Sequence, residues 1–231
     1  MSTVVVLAGG LPHAHDFDAI ARTLAGLFDA EHEVRTVAHP DQLTTALDGA
    51  DALVVDALWW TMQGDRYEQW RAEWAYATTP ALRAAVERFV DGGGGLLAVH
   101  TASICFDDWP EWGRIVGGAW DWSRSSHPPC DVVSPRVIAD HPVVAGVVDV
   151  IESRPGPRDE VYGDLTWQPG IDVLAVAKRQ PADDDQPVVW THRYGAGRVV
   201  GLVFGHDAES LAHPLNSRVV TQGLSWVLEG A

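Results

Sequence analysis

The stretch Gly92–Ala102, reading GGGGLLAVHTA, constrains the fold of this chain more than any other. Four glycines precede the apolar run Leu96 to Val99, and the polar His100 follows it. An unbroken apolar run between turn residues marks a strand buried on both faces, and such strands belong to parallel sheets covered by helices. Ala98 and Ala102 flank His100 at two positions' distance, which leaves room for a sharp elbow from strand to helix. Enzymes built around such an elbow place a nucleophile there, and histidine keeps the geometry while removing it. The glycines do not make a phosphate loop, because they precede the strand and no Lys-Ser/Thr pair follows.

The rest of the chain fits the same plan. Thr3–Ala8, Glu33–Val37 and Ala52–Val55 read as strands, separated by a helix from Phe17 to about Phe28 and a shorter one over Asp41–Leu47. Asp65–Ala77 reads as an amphipathic helix or an insertion over the site. Thr79-Pro80 then opens a helix with the stripe Leu82, Val86, Phe89 and Val90. Further on, Asp131–Ile138 predicts a strand, Ile171–Ala177 and Pro187–His192 an antiparallel pair, and Gly195–Gly197 a hairpin turn into Arg198–Phe204. Leu215 to Leu228 closes the chain as an amphipathic helix. At 231 residues with no repeat or linker, residues 1–231 form a single α/β domain on this reading, a mostly parallel sheet with helices on both faces.

Charge and composition narrow the partners. The net charge of −16 repels phosphate backbones, so nucleic acid is not expected. No 18-residue apolar stretch occurs, and the first strand has no basic region or cleavage site before it, so neither a membrane nor secretion is expected and a cytoplasmic location is. Cys105 and Cys130 suit a reducing compartment. Eleven tryptophans exceed what a core of this size needs, and those in loops are candidates for a ligand surface or a homodimer interface.

In open parallel sheets, ligands bind at the carboxyl ends of the strands. Four strands deliver side chains there: His13, His15 and Asp16; Asp56, Trp59 and Trp60; His100; and His206 with Asp207. Each alone has an ordinary structural explanation, and their convergence is the signal. Histidine suits proton transfer near neutral pH, and Glu160 is the natural carboxylate companion. A divalent metal on some of His13, His15, His100, His127 and His206 is an open alternative. No HExxH or paired-Cys pattern supports one, so no cofactor is expected.

GGGGLLAVHTA, FDDWPEWGRIVGG (106–118), SHPP (126–129), DHPVVAG (140–146), DEVY (159–162), PVVWTHRYGAGRV (187–199) and GHD (205–207) together resemble the trehalose-utilisation (ThuA-like) family, a branch of the class I glutamine amidotransferase-like fold. The resemblance implies a flavodoxin-like three-layer sandwich in which His100 stands where amidotransferase relatives keep a cysteine, so glutaminase activity is not implied. It maps His100, His127, Glu160, Tyr162 and His206 to the pocket. Ser126 departs from the expected glycine.

On that basis the ligand is a small carbohydrate, a disaccharide or keto-sugar. His100, Glu160 and His206 are the expected catalytic residues. His15, Trp59, Trp60, Trp109, Trp120, His127, Tyr162 and Asp207 are the expected binding residues. Isomerisation or elimination fits better than glycoside hydrolysis, which ordinarily needs two carboxylates. A non-catalytic sugar-binding protein and a metal-dependent hydrolase are the alternatives.

Overall fold

In a computed structural model, which describes residues 1–230, the early strand signals become β1 (Thr3–Leu7), β2 (Glu33–Val37), β3 (Ala52–Val55) and β4 (Gly95–Val99). The later ones become β5 (Arg136–Val137), β6 (Asp172–Ala177), β7 (Gln186–Tyr194) and β8 (Gly197–Leu202). They form one sheet in the order β2-β1-β3-β4-β8-β7-β6-β5. Pairing is parallel from β2 through β8 and antiparallel from β8 to β5. β4 is central and buried along its whole length, as its apolar run requires.

Among the described residues, eight α-helices accompany the sheet: α1 (Phe17–Phe28), α2 (Leu43–Ala46), α3 (Glu68–Trp74), α4 (Pro80–Asp91), α5 (Pro110–Val116), α6 (Val147–Ser153), α7 (Ala208–Ala212) and α8 (Pro214–Leu228). Their starts have local causes. The Asp16 carboxylate accepts from the Ala19 amide at 2.9 Å, and Thr79 caps α4 ahead of Pro80.

Alternate strand residues face opposite sides, so two cores form. Val4, Val6, Val54, Leu97 and Val99 pack with Ile20 and Leu24 of α1 and Val219 and Val220 of α8. Val5, Leu7, Leu53 and Leu96 pack with Leu82 and Val86 of α4 and Ile115 of α5. The result is the expected α/β arrangement with helices on both faces. Among the described residues, no helix is long and apolar enough to cross a membrane.

Three local expectations change. Asp131–Ile138 is two short strands in separate sheets, Asp131–Val132 and β5, because Pro135 lacks an amide donor and restricts Ser134. α6 and α7 were not legible as helices, each being only five to seven residues long. Asp65–Ala77 is a 3₁₀ turn (Asp65–Tyr67) followed by α3, and neither has a fully buried residue. Arg71 fastens this segment by donating to the carbonyls of Met62 at 3.0 Å and Gly64 at 2.8 Å.

Candidate active site

β4 delivers His100 into a left-handed backbone conformation, φ 45°, at the head of a buried 3₁₀ turn that runs to Ser103. Holding a non-glycine residue there costs on the order of 1–3 kcal/mol and persists only where the surroundings fix it. The small flanking residues thus serve the elbow they imply. The His100 side chain is fully buried. Its Nδ1–H donates to the Val203 carbonyl at 2.6 Å, and its Nε2 accepts from the Tyr162 hydroxyl at 2.9 Å. A carbonyl only accepts, so the tautomer is fixed. Burial, reinforced by His15, pushes the His100 pKa well below the usual histidine value.

Two further histidines surround it. His15, in the loop after β1, donates from Nδ1 to the His206 carbonyl at 2.8 Å. Burial lowers its pKa as well. His206 follows β8 across Gly205, whose φ of 125° favours glycine. Ring centroids lie 4.6 Å apart for His15 and His206, 5.2 Å for His15 and His100, and 5.4 Å for His100 and His206.

Glu160 faces this group. Its Oε2 is 3.7 Å from both His100 Nε2 and His206 Nδ1, and its Oε1 is 3.1 Å from His127 Nδ1. The carboxylate raises the His127 pKa. Beneath it, Asp159 is buried and accepts from the Gly205 amide at 2.8 Å, from the Ser210 hydroxyl and, at 3.4 Å, from the Asn216 amide. Burial nevertheless pushes the Asp159 carboxyl up to about 6. Asp56, fully buried at the end of β3, accepts from Thr101 Oγ1 at 3.0 Å. Burial holds its carboxyl well above the usual range.

Above these groups opens a pocket of about 270 Å³ walled by Trp60, Tyr67, Trp120, Trp122 and Tyr162, with His15, His127, Glu160 and His206 at its polar end. It adjoins a shallower depression of about 670 Å³ that shares Tyr67, Trp120, Trp122 and His127. Arg66 and Tyr67 bring the Asp65–Ala77 segment to the mouth of both. A separate cleft of about 480 Å³, lined by Arg136, Lys178 and Arg179, receives none of the histidines.

The structure therefore brings together His15, Trp60, His100, Trp120, His127, Glu160, Tyr162 and His206. Three expected binding residues lie elsewhere. Trp59 faces the opposite core, its indole N–H donating to the Ala38 carbonyl at 3.0 Å. Trp109 packs against Phe106 and Trp112 in that same core. Asp207 is the N-cap of α7, accepting from the Ser210 amide at 2.7 Å. His13, named with the metal alternative, packs at a tilt against Trp70 outside the cluster. Sequence reasoning gave no role to Asp159, Ser210 and Asn216, which meet only in three dimensions. Trp122 falls among the loop tryptophans expected to offer a ligand surface, and Tyr67 lies in the Asp65–Ala77 segment, none of whose residues is among the expected site residues.

No curated protein matches the chain in sequence. Solved structures do match in fold. A protein from Parabacteroides merdae described as ThuA-like is 17% identical, with a TM-score of 0.78 over 99% of this chain and 90% of its own. Another, from Bacteroides uniformis, is 18% identical, with a TM-score of 0.68 over 97% and 90%. A cytoplasmic protein of Salmonella typhimurium is 12% identical, with a TM-score of 0.64 over 98% and 99%. At these identities the likeness speaks to fold alone. The trehalose-utilisation family itself matches residues 3–227, nearly the whole chain, and this protein belongs to the ThuA family.

Proposed function

We propose that this chain is an enzyme of carbohydrate metabolism that moves a proton on a disaccharide or keto-sugar held in the tryptophan-walled pocket. One observation carries the reading. Glu160 is a carboxylate with three imidazoles within 3.7 Å, and it opens onto a pocket whose walls are aromatic. Aromatic faces suit the apolar face of a sugar ring, and a carboxylate among imidazoles suits transfer of a proton from carbon.

In this reaction Glu160 takes the proton from the carbon beside the sugar carbonyl, and His206 donates toward the carbonyl oxygen as charge builds there. In an isomerisation the adjoining hydroxyl then gives its proton back to His206 as it becomes the new carbonyl, and Glu160 returns its proton to the former carbonyl carbon. In an elimination the enol oxygen returns its proton to His206 as the carbonyl re-forms, and the leaving group departs with the proton held by Glu160. His127 holds Glu160 from the solvent side. His100 is a positioning residue, acting through the Tyr162 hydroxyl and the carbonyl of Val203. Glycoside hydrolysis is less suited, because it ordinarily uses two carboxylates flanking the bond and Asp159 is buried. Glutamine hydrolysis lacks its thiolate: Cys105 is buried with its thiol pushed up, and the Cys130 thiol is pushed up to about 12. We assign the activity to the cytoplasm, the compartment given for the Salmonella relative in fold.

The test is proton NMR in D₂O with trehalose, related disaccharides and their 3-keto derivatives. Deuterium is expected to enter beside a carbonyl, or a new sugar to appear. Glu160→Gln is expected to slow this by roughly 10²- to 10⁴-fold with the fold retained. Static spectra with broadened ligand lines would replace the enzyme with a sugar-binding protein. Spectra unchanged for every sugar would remove the carbohydrate reading.

A further inference from the structure

We propose that His15, His100 and His206 form a binding site for a divalent transition metal of the zinc type, with Glu160 beside its open position. Each histidine offers one ring nitrogen, and these atoms lie within 4.8 Å of one another. Nitrogens around a tetrahedral zinc stand roughly 3.4 Å apart, given metal–nitrogen distances of about 2.1 Å. Binding would draw the nitrogens together by up to about 1.4 Å.

The surrounding hydrogen bonds are those a metal site needs. An imidazole that ligates a metal ordinarily donates its other N–H to a carbonyl or carboxylate, which fixes the ring and its tautomer. His100 does so to Val203 and His15 to His206, so both keep the proton on Nδ1 and present Nε2. His206 Nδ1 is buried without a hydrogen-bond partner, which leaves it without the stabilisation that buried polar atoms ordinarily find. Burial lowers the pKa of His15 and of His100, which disfavours the protonated form that cannot bind metal. The Tyr162 hydroxyl donates to the same His100 nitrogen, so hydroxyl and cation compete for it. Three nitrogens with a carboxylate alongside suit zinc and its neighbours rather than magnesium or calcium, which prefer all-oxygen shells.

The three histidines come from three different strand ends, after β1, β4 and β8, so the cluster is a product of the sheet and not of one loop. A second group, Cys130, Glu160 and His206, also lies within 4.8 Å and shares His206. The two-carbonyl anchoring favours the histidine triad. With His206 as a ligand, a cation there would stabilise charge at the substrate oxygen in place of the proton that His206 donates above. The site itself stands whether or not the substrate is a sugar.

The measurement is calorimetric titration of zinc chloride into untagged, chelator-treated protein, with elemental analysis of the protein as purified. One equivalent is expected to bind. His15→Gln and His206→Gln are expected each to weaken binding at least tenfold, and Cys130→Ser to leave it within about twofold. In the unsubstituted protein, long-range ¹H–¹⁵N spectra are expected to show zinc shifting the Nε2 resonances of His15 and His100, so the proposal is testable even if a variant misfolds. Absence of stoichiometric binding overturns it. So does binding lost in Cys130→Ser but kept in His15→Gln, and so do unmoved Nε2 resonances.

Discussion

Trp59 and Trp60 are adjacent in the chain and belong to different parts of the molecule. Neighbours along an extended segment point to opposite faces, so Trp59 enters the core beneath α4 and α5 while Trp60 lines the pocket. Burial does not separate them, since Trp59 is 9% exposed and Trp60, on the pocket side, only 2%. The indole N–H does. Trp59 donates to Ala38, Trp112 to Ala102 and Trp190 to Val116, all backbone carbonyls. Trp60 Nε1 is buried and has no partner. The three core indoles are satisfied by the fold, and Trp60 at the pocket wall keeps a donor that the fold does not satisfy.

The largest effect that separates the two regions belongs to Trp112 and Trp120. Trp112 is buried and stacks with Trp109 at 6.1 Å, bonded to the turn that begins at His100. Trp112→Ala is expected to cost about 3–5 kcal/mol in urea denaturation and to leave the affinity of the folded fraction for its sugar unchanged. Trp120 instead borders both hollows and packs edge-on to Tyr162 at 5.3 Å. Trp120→Ala is expected to weaken sugar binding roughly tenfold and to cost less than about 2 kcal/mol of stability. A reversal of the two outcomes would erase the distinction between core and pocket aromatics.

The sheet was legible because it is written locally. Unbroken apolar runs, Asp16 and Thr79 as caps, and the Gly195-containing turn each act within a few residues. His100 was legible because its elbow needs small residues at fixed spacing. The side that each tryptophan takes was not, because it depends on which helix lies across the sheet, as Trp109 illustrates by packing into the α5 core despite its loop setting. Asp207 carries a second, local signal: a polar residue at a strand end also begins a helix, and here it caps α7. The anchoring of Asp159 by Ser210 and Asn216 spans more than fifty residues and leaves no local trace.

A finer test exchanges each neighbouring indole for a benzene ring. Trp59→Phe and Trp60→Phe remove similar volume, but only the first leaves a backbone carbonyl, that of Ala38, without its donor. Trp59→Phe is therefore expected to be the less stable of the two by about 1 kcal/mol, measured by denaturant midpoint. Trp60→Phe is expected to weaken sugar binding several-fold by calorimetry, with Trp59→Phe at the parental affinity. Equal affinities would mean that the free Trp60 N–H meets no ligand.

The smallest effects come from the histidines, where floor and rim of the site titrate with opposite sign. Burial lowers the folded-state pKa of His15, so as pH falls through about 6.5 the unfolded chain takes up a proton that the folded chain refuses. Stability is then lost on acidification, by at most about 1.4 kcal/mol per pH unit for this group. His127 at the rim has its pKa raised by Glu160, so its contribution is full below about 6.5 and is lost as pH rises through the raised value. Urea titrations from pH 5 to pH 8 are expected to show His15→Gln flattening the acid limb and His127→Gln flattening the alkaline one. The rim effect should shrink in high salt, because His127 is partly exposed, whereas the floor effect should persist. If both variants flattened the same limb, the Glu160–His127 contact would not hold in solution, and Glu160 would face the pocket without its solvent-side support.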